Sequence, residues 1–147
     1  MDRLYTAEAS AYGQRTGAVI TSDDRLDLKL SRPSEMGGDG GPGTNPEQLF
    51  AAGYAACFHS AMRYAVRDVG LAAKDLEGSH VTARVHFLKE PPIDFQLAVE
   101  IELTAPLIDD EKARALLERT HQICPYSKAT AGNIDVQLKV ARHPHAA

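Results

Sequence analysis

Cysteine is scarce in this sequence, with two copies, Cys57 and Cys124, among 147 residues. That is too few for the disulfide framework on which small secreted domains rely. The two are therefore core residues, metal ligands or reactive thiols, and most of the functional question turns on which. Basic charge is not in excess either: 16 Lys and Arg stand against 20 Asp and Glu, a formal net charge of −4. That balance disfavours a nucleic-acid partner and an anionic-lipid surface. Long apolar runs are missing. The longest, from Leu49 to Phe58, is half of the roughly 20 residues that a membrane span requires. The opening stretch Met1-Asp2-Arg3-Leu4-Tyr5-Thr6 is polar and lacks the apolar core of a signal peptide. These absences together read as a soluble, cytoplasmic protein with no membrane and no nucleic-acid role.

There is no internal repeat and no linker, so the expectation is a single domain over residues 1–147. Several segments alternate with period two. Leu26, Leu28 and Leu30 interleave with charged and polar neighbours, as do Val81, Ala83, Val85 and Phe87. Ile93, Phe95, Leu97, Val99, Ile101 and Leu103 form the longest such series, and Ile134, Val136, Leu138 and Val140 close the chain in the same way. Residues 4–11 are a weaker case. This is the pattern of antiparallel strands with one buried face and one wet face.

Two segments read as helices. Thr44-Asn45-Pro46-Glu47 supplies an N-cap, a first-turn proline and a glutamate at the capping-box position. From Leu49 to about Val69 the residues are apolar or small nearly all round, so the helix is buried on more than one side. One sheet covers only one side, and a partner subunit is the simplest cover for the rest. The second helix begins near Asp109-Asp110 and carries Ala113, Leu116, Leu117, Thr120 and Ile123 on one stripe. The fold class is α+β.

Gly38, Gly40 and Gly43 formally satisfy GxGxxG. A dinucleotide site needs that turn directly after a strand, with an acidic residue about 20 positions on. Arg63 stands there instead, so no nucleotide cofactor is expected. Cys57-x-His59 and His121-x-x-Cys124 could be zinc ligands. Residues two apart on a helix point about 200° from one another, however, so Cys57 and His59 do not easily share an ion; His121 and Cys124 could, but no metal is expected. His80 and His86 fall on the wet face of a strand, and His143 and His145 in a short tail.

Taken by itself, Cys57 among alanines reads as a small core hydrophobe. Cys124, followed by Pro125, falls at the N-cap of a new helix, where unpaired N–H groups favour a thiolate. Reactive and structural readings of it remain open at this level. Arg15, in the turn Tyr12-Gly13-Gln14-Arg15-Thr16-Gly17, reads locally as solvated.

Two longer motifs decide more. The run from Thr44 to Phe58, Thr-Asn-Pro-Glu-Gln-Leu-Phe-Ala-Ala-Gly-Tyr-Ala-Ala-Cys-Phe, strongly resembles the organic hydroperoxide resistance proteins of the OsmC superfamily. Cys124-Pro125-Tyr126-Ser127-x-Ala129-Thr130-x-Gly132-Asn133-Ile134 is similar to that family's other active-site segment. The resemblance implies an intertwined α+β homodimer with antiparallel sheets around a long buried helix, and active sites at its interface. It implies a peroxidase that reduces organic hydroperoxides, with Cys57 as the peroxidatic and Cys124 as the resolving cysteine. Arg15 and Glu47 match the charged pair that activates the thiol. The implied reductant is external, dihydrolipoamide or a lipoylated protein, with no bound cofactor. One departure is Ala131, where arginine is common in this branch.

That chemistry needs a thiolate. A cysteine with a pKa near 8.5 is only about 3% ionised at pH 7, and burial opposes ionisation further. A guanidinium about 4 Å away is worth roughly 4 kcal/mol at an effective dielectric near 20, and such neighbours shift pKa by about 1–3 units. Arg15, oriented by Glu47, is the expected cation. Ten helical residues separate Glu47 from Cys57, about 15 Å along a straight axis. Either the charged pair comes from a partner subunit or the helix is broken near its start. Phe50, Phe58, Met62 and Tyr126 are the expected apolar lining of a substrate pocket.

Overall fold

The computed structural model describes residues 1–141, so His143 and His145 lie outside the described residues. The chain divides into two compact units, residues 1–49 and 50–147.

In the first unit, β1 (Ala9–Tyr12), β2 (Ala18–Thr21) and β3 (Asp27–Lys29) form an antiparallel meander. The alternating residues 4–11 contribute only their end to β1. Strand β2 carries no alternation, because its four residues, Ala-Val-Ile-Thr, are all half-buried and too few to show a period. Between β1 and β2, residues Gln14–Thr16 make a single 3₁₀ turn. Gly17 closes that turn: a Cβ there would overlap the Tyr12 carbonyl oxygen. The glycine-rich stretch brings the chain back alongside β3. Thr44 N–H donates to Lys29 O and Ser31 N–H to Thr44 O, each at 2.9 Å, and Gly43 N–H donates to Ser31 Oγ at 2.8 Å. Its glycines thus serve close backbone packing.

Helix α1 runs without a break from Pro46 to Ala65 and passes into a 3₁₀ turn, Val66–Val69, ended by Gly70 at φ 75°. The start differs from the expected capping box. Asn45 Oδ1 accepts the Gln48 N–H at 2.8 Å, so the cap is one residue later than Thr44. Glu47 is thereby released from capping. Along α1, Tyr54, Phe58, Ala61, Met62 and Ala65 recur at three- and four-residue spacing and are buried. Ala52, Ala56 and Ser60, at i, i+4 and i+8, are exposed.

The second sheet holds β4 (His80–Glu90), β5 (Asp94–Thr104) and β6 (Val136–Val140) in that order. β4 and β5 are an antiparallel hairpin, paired from His80 with Thr104 to Glu90 with Asp94. The all-antiparallel expectation needs correction here, because β6 lies parallel to β5, Val99 to Leu103 beside Val136 to Val140. A parallel neighbour requires a crossover, and helix α2 (Asp110–Ile123) with helix α3 (Pro125–Thr130) supplies it. Val99, Ile101 and Leu103 face the core. Ile93 and Phe95, read as belonging to the same inner face, are exposed because the hairpin extends past β6 and past the core. Phe95 stacks there on Phe87. On the wet face, Arg84 pairs with Glu102 at 3.0 Å and Lys139 with Glu100 at 3.2 Å, and His80 and His86 are exposed.

Helix α2 begins where Asp109 Oδ1 accepts the Lys112 N–H at 2.9 Å. Its stripe Ala113, Leu116, Leu117 and Thr120 is buried, with Ile123 at the margin. The core joins this stripe to Tyr54, Phe58 and Met62 of α1 and to Val99, Ile101 and Leu103 of β5. Each fully buried large apolar side chain is worth about 1.5–3 kcal/mol. Among the described residues no helix is long and apolar enough to cross a membrane.

Candidate active site

Cys57 sits midway along α1, and Cys124 caps the short helix α3, whose first residue is Pro125. The core brings them together: Cys124 Sγ lies 3.7 Å from Cys57 Sγ, and both are free thiols. Their access to solvent differs. Cys124 is fully buried, whereas Cys57 keeps part of its surface exposed. Of the two, Cys57 is the thiol with surface open to a dissolved reagent, and Cys124 lies buried beside it.

Burial pushes the Cys57 thiol above the ordinary cysteine range, and the backbone N–H of Tyr126 pulls it back by donating to the sulfur. The Cys124 sulfur raises it again. Within this unit the balance therefore runs against the thiolate, the form that a nearby cation favours.

The first unit contains a guanidinium–carboxylate pair. Arg15 forms a bidentate pair with Glu47, Nη1 to Oε2 at 3.0 Å and Nη2 to Oε1 at 2.8 Å. This replaces the solvated-loop reading of Arg15: its side chain is about one-third exposed and that of Glu47 about 15%. The pair draws the Glu47 carboxyl below the usual carboxylate range and raises the guanidinium. Because α1 is unbroken between Pro46 and Ala65, a break near its start is excluded as a way to shorten the path from Glu47 to Cys57.

The four expected pocket residues separate into two kinds. Phe58 and Met62 have no exposed surface and are core residues, since they share the buried face of α1 with Tyr54. Phe50 and Tyr126 pack edge to face with ring centroids 6.2 Å apart, and Tyr126 is 39% exposed. Tyr126 also lies over Gly53, where a Cβ would come within 2.7 Å of its hydroxyl. Glycine one turn before Cys57 thus makes room for that ring. Ala131, the C-cap of α3, is exposed and donates its N–H to Ser127 O at 2.9 Å.

Three polar residues beside the thiols were not singled out from the sequence. Ser127 Oγ lies 2.8 Å from Tyr54 Oη and 2.8 Å from His121 Nδ1, and Thr130 Oγ1 lies 3.4 Å from Tyr54 Oη. A usable signal existed: Tyr54 and Ser127 each stand three residues from a cysteine, one helical turn away. His59 Nε2 meets Ser79 Oγ at 3.0 Å. The imidazoles of His59 and His121 are thus both turned to hydroxyls. Among the described residues no group of three or more His, Cys, Asp or Glu is placed to hold a metal ion.

The family described as OsmC-like protein matches residues 37–139. The organic hydroperoxide resistance protein of Xanthomonas axonopodis pv. citri (strain 306) is 48% identical over 141 residues, covering 94% of this chain and 95% of that protein. Organic hydroperoxide resistance protein OhrA of Bacillus subtilis (strain 168) is 43% identical over 146 residues, covering 94% and 96%. Among solved structures, an organic hydroperoxide resistance protein from Legionella pneumophila superposes with a TM-score of 0.86 at 42% identity, covering 96% of this chain and all of that one.

Proposed function

This chain belongs to the OsmC-like family, beside its organic hydroperoxide resistance proteins, and we propose that it is a cysteine-based peroxidase reducing organic hydroperoxides to alcohols. The observation that carries the reading is the approach of a part-exposed and a buried free thiol to 3.7 Å. Cys57 thiolate attacks the distal peroxide oxygen, the O–O bond breaks, and the alkoxide takes a proton and leaves as the alcohol. The Cys57 sulfenic acid that results condenses with the Cys124 thiol, forming the S–S bond and releasing water. The sulfurs must close to about 2.05 Å for this. An external dithiol, dihydrolipoamide or a lipoylated protein, then attacks the disulfide, and both cysteines return to thiols as the dithiol is oxidised. No bound cofactor takes part. A reducing cytoplasm suits two cysteines kept as free thiols.

Arg15 is the activating cation in this reading, and Glu47 orients it. The pair serves the Cys57 of a second subunit in a homodimer. The exposed face of Ala52, Ala56 and Ser60 on α1 supports a partner chain, since three small or polar residues there leave room for close helix contact. The half-exposed rings of Phe50 and Tyr126 supply an apolar surface suited to alkyl and fatty-acid peroxides.

Steady-state peroxide consumption with dihydrolipoamide tests the reading, comparing an alkyl or fatty-acid hydroperoxide with hydrogen peroxide. A strong preference for the organic peroxide is expected. Equal rates would indicate a broader OsmC-type peroxidase, and consumption of neither would return the chain to a binding role. The Cys124→Ser variant is expected to complete one oxidation and then gain further oxygen at Cys57, read by intact mass. Sustained normal cycling of that variant would remove Cys124 from the mechanism.

A further inference from the structure

Helix α3 has six residues, too few to hold its own position by helical hydrogen bonding. Yet it must set the Cys124 sulfur against Cys57. Two residue pairs link it to α1 in matching steps. Tyr54 and Cys57 are three apart on α1, and Ser127 and Cys124 are three apart across the start of α3. Tyr54 Oη meets Ser127 Oγ at 2.8 Å, one turn from the sulfurs at 3.7 Å. His121, at the end of α2, meets the same Ser127 Oγ at 2.8 Å from its Nδ1. Ser127 is 1% exposed and Tyr54 fully buried, so water does not compete for these hydroxyls.

The protons can be counted. With a hydrogen on Nδ1, His121 donates to Ser127, Ser127 to Tyr54 and Tyr54 to Thr130, while Thr130 Oγ1 donates to Ser127 O at 3.0 Å. Every hydroxyl hydrogen is used once, and the chain closes on the residue where it branches. The other tautomer reverses the first two links and leaves the 3.4 Å contact between Tyr54 and Thr130 without a hydrogen. The 2.8 Å contacts on both sides of Ser127 Oγ tie α3 to α1 and to α2.

We propose that Ser127, held between Tyr54 and His121, is a positioning residue for disulfide formation: it locks α3 so that the buried Cys124 thiol faces Cys57. The proposal rests on the peroxidase reading above and assigns Ser127 to the second oxidative step. Sulfenic acid formation needs Cys57 and a cation, whereas condensation needs a second sulfur that cannot wander. Displacement by even 1 Å can cost about a hundredfold in a positioned reaction.

The test separates the two steps. Full-length parent, Ser127→Ala, Tyr54→Phe and Ser127→Thr proteins receive one equivalent of an alkyl hydroperoxide. Trapping of sulfenic acid reads the first step, and intact mass of the alkylated, quenched protein reads disulfide formation. Ser127→Ala and Tyr54→Phe are expected to slow disulfide formation by about tenfold or more while sulfenic acid formation changes by less than about threefold. Ser127→Thr, which keeps the hydroxyl, is expected to recover most of the loss. With excess peroxide, the two slow variants accumulate over-oxidised Cys57. Equal slowing of both steps, or disulfide formation at the parent rate in both hydroxyl-deleted variants, overturns the proposal. If Ser127→Ala fails to fold, Tyr54→Phe decides. Failure of the parent itself to form a Cys57–Cys124 disulfide would overturn the peroxidase reading, and the proposal would fall with it.

Discussion

The two thiols and the charged pair live in regions built on different principles. Cys57 and Cys124 belong to a unit with a continuous core, where Tyr54, Phe58, Leu116 and Leu117 are fully buried. Arg15 and Glu47 belong to a unit in which Leu30 alone, among residues 1–49, is buried and every residue of β1 is exposed. A three-stranded meander with so little buried surface gains little from its own packing. The thiols are thus placed by packing against this core. The charged pair is placed by a bidentate contact on a thinly packed frame, which needs further cover. The contrast teaches that the two thiols meet through core packing, whereas the charged pair meets through one bidentate contact on a thinly packed frame.

The largest effect expected is at the thiol itself. Cys57→Ser is expected to abolish peroxide turnover, a loss of at least about a thousandfold, measured with dihydrolipoamide, because a hydroxyl is a far weaker nucleophile at its ordinary pKa. Retained activity would contradict the assigned nucleophile.

Arg15→Ala comes next. Burial holds the Cys57 thiol above the ordinary range, so in the proposed mechanism loss of the cation leaves only the Tyr126 N–H to oppose it. The reactive form is the thiolate, so the rate of Cys57 alkylation rises with pH through its pKa. The variant's inflection is expected to move up by about 1–3 units, with peroxidase activity at pH 7 falling about ten- to hundredfold. An unchanged inflection would take Arg15 out of thiol activation.

Mixed dimers sharpen the comparison between the two regions. If the charged pair serves the partner's thiol, co-refolded Arg15→Ala and Cys57→Ser chains regain measurable activity, because each mixed dimer contains one intact combination. A mixture as inactive as its components would mean that each chain activates its own cysteine.

The smallest effect concerns stability. Arg15 donates to Glu47 and holds its carboxyl below the usual range. A depressed native pKa contributes stability that is fully present above the unfolded value, near 4.3 for glutamate, and is lost as pH falls through the native value. Glu47→Gln is expected to cost about 1 kcal/mol or less at pH 7, given the pair's partial exposure. Urea titrations at descending pH are expected to show that deficit closing below pH 4. A deficit that persists at pH 2 would point to packing rather than charge.

How much of this was legible beforehand depended on whether the signal was periodic. The stripe of α2 and the inner face of β5 from Val99 to Leu103 follow from spacing, since burial of one face selects residues at the period of the element. Ile93 and Phe95 carry the same pattern and are exposed, because periodicity marks a face without saying how far the covering layer extends. Phe58 and Met62 were candidates for a pocket on their apolar character, which cannot distinguish a lining residue from a core one. The parallel placement of β6 was likewise invisible, because strand alternation is the same in both directions.

The sequence by itself determined the two long helices, the hairpin strands, the Asp109 start of α2 and the two cysteine motifs, since each is written in residues within a few turns of one another. It also marked Cys124 as an N-cap, for Pro125 cannot continue the helix before it. Only the tertiary structure decided that residues 67 positions apart would bring their sulfurs to 3.7 Å, that Arg15 would leave solvent for Glu47, and that Tyr54, Ser127 and His121 would share one hydroxyl. Those are meetings between elements. They depend on how the core packs, and no local propensity records which side chains such packing will bring within reach.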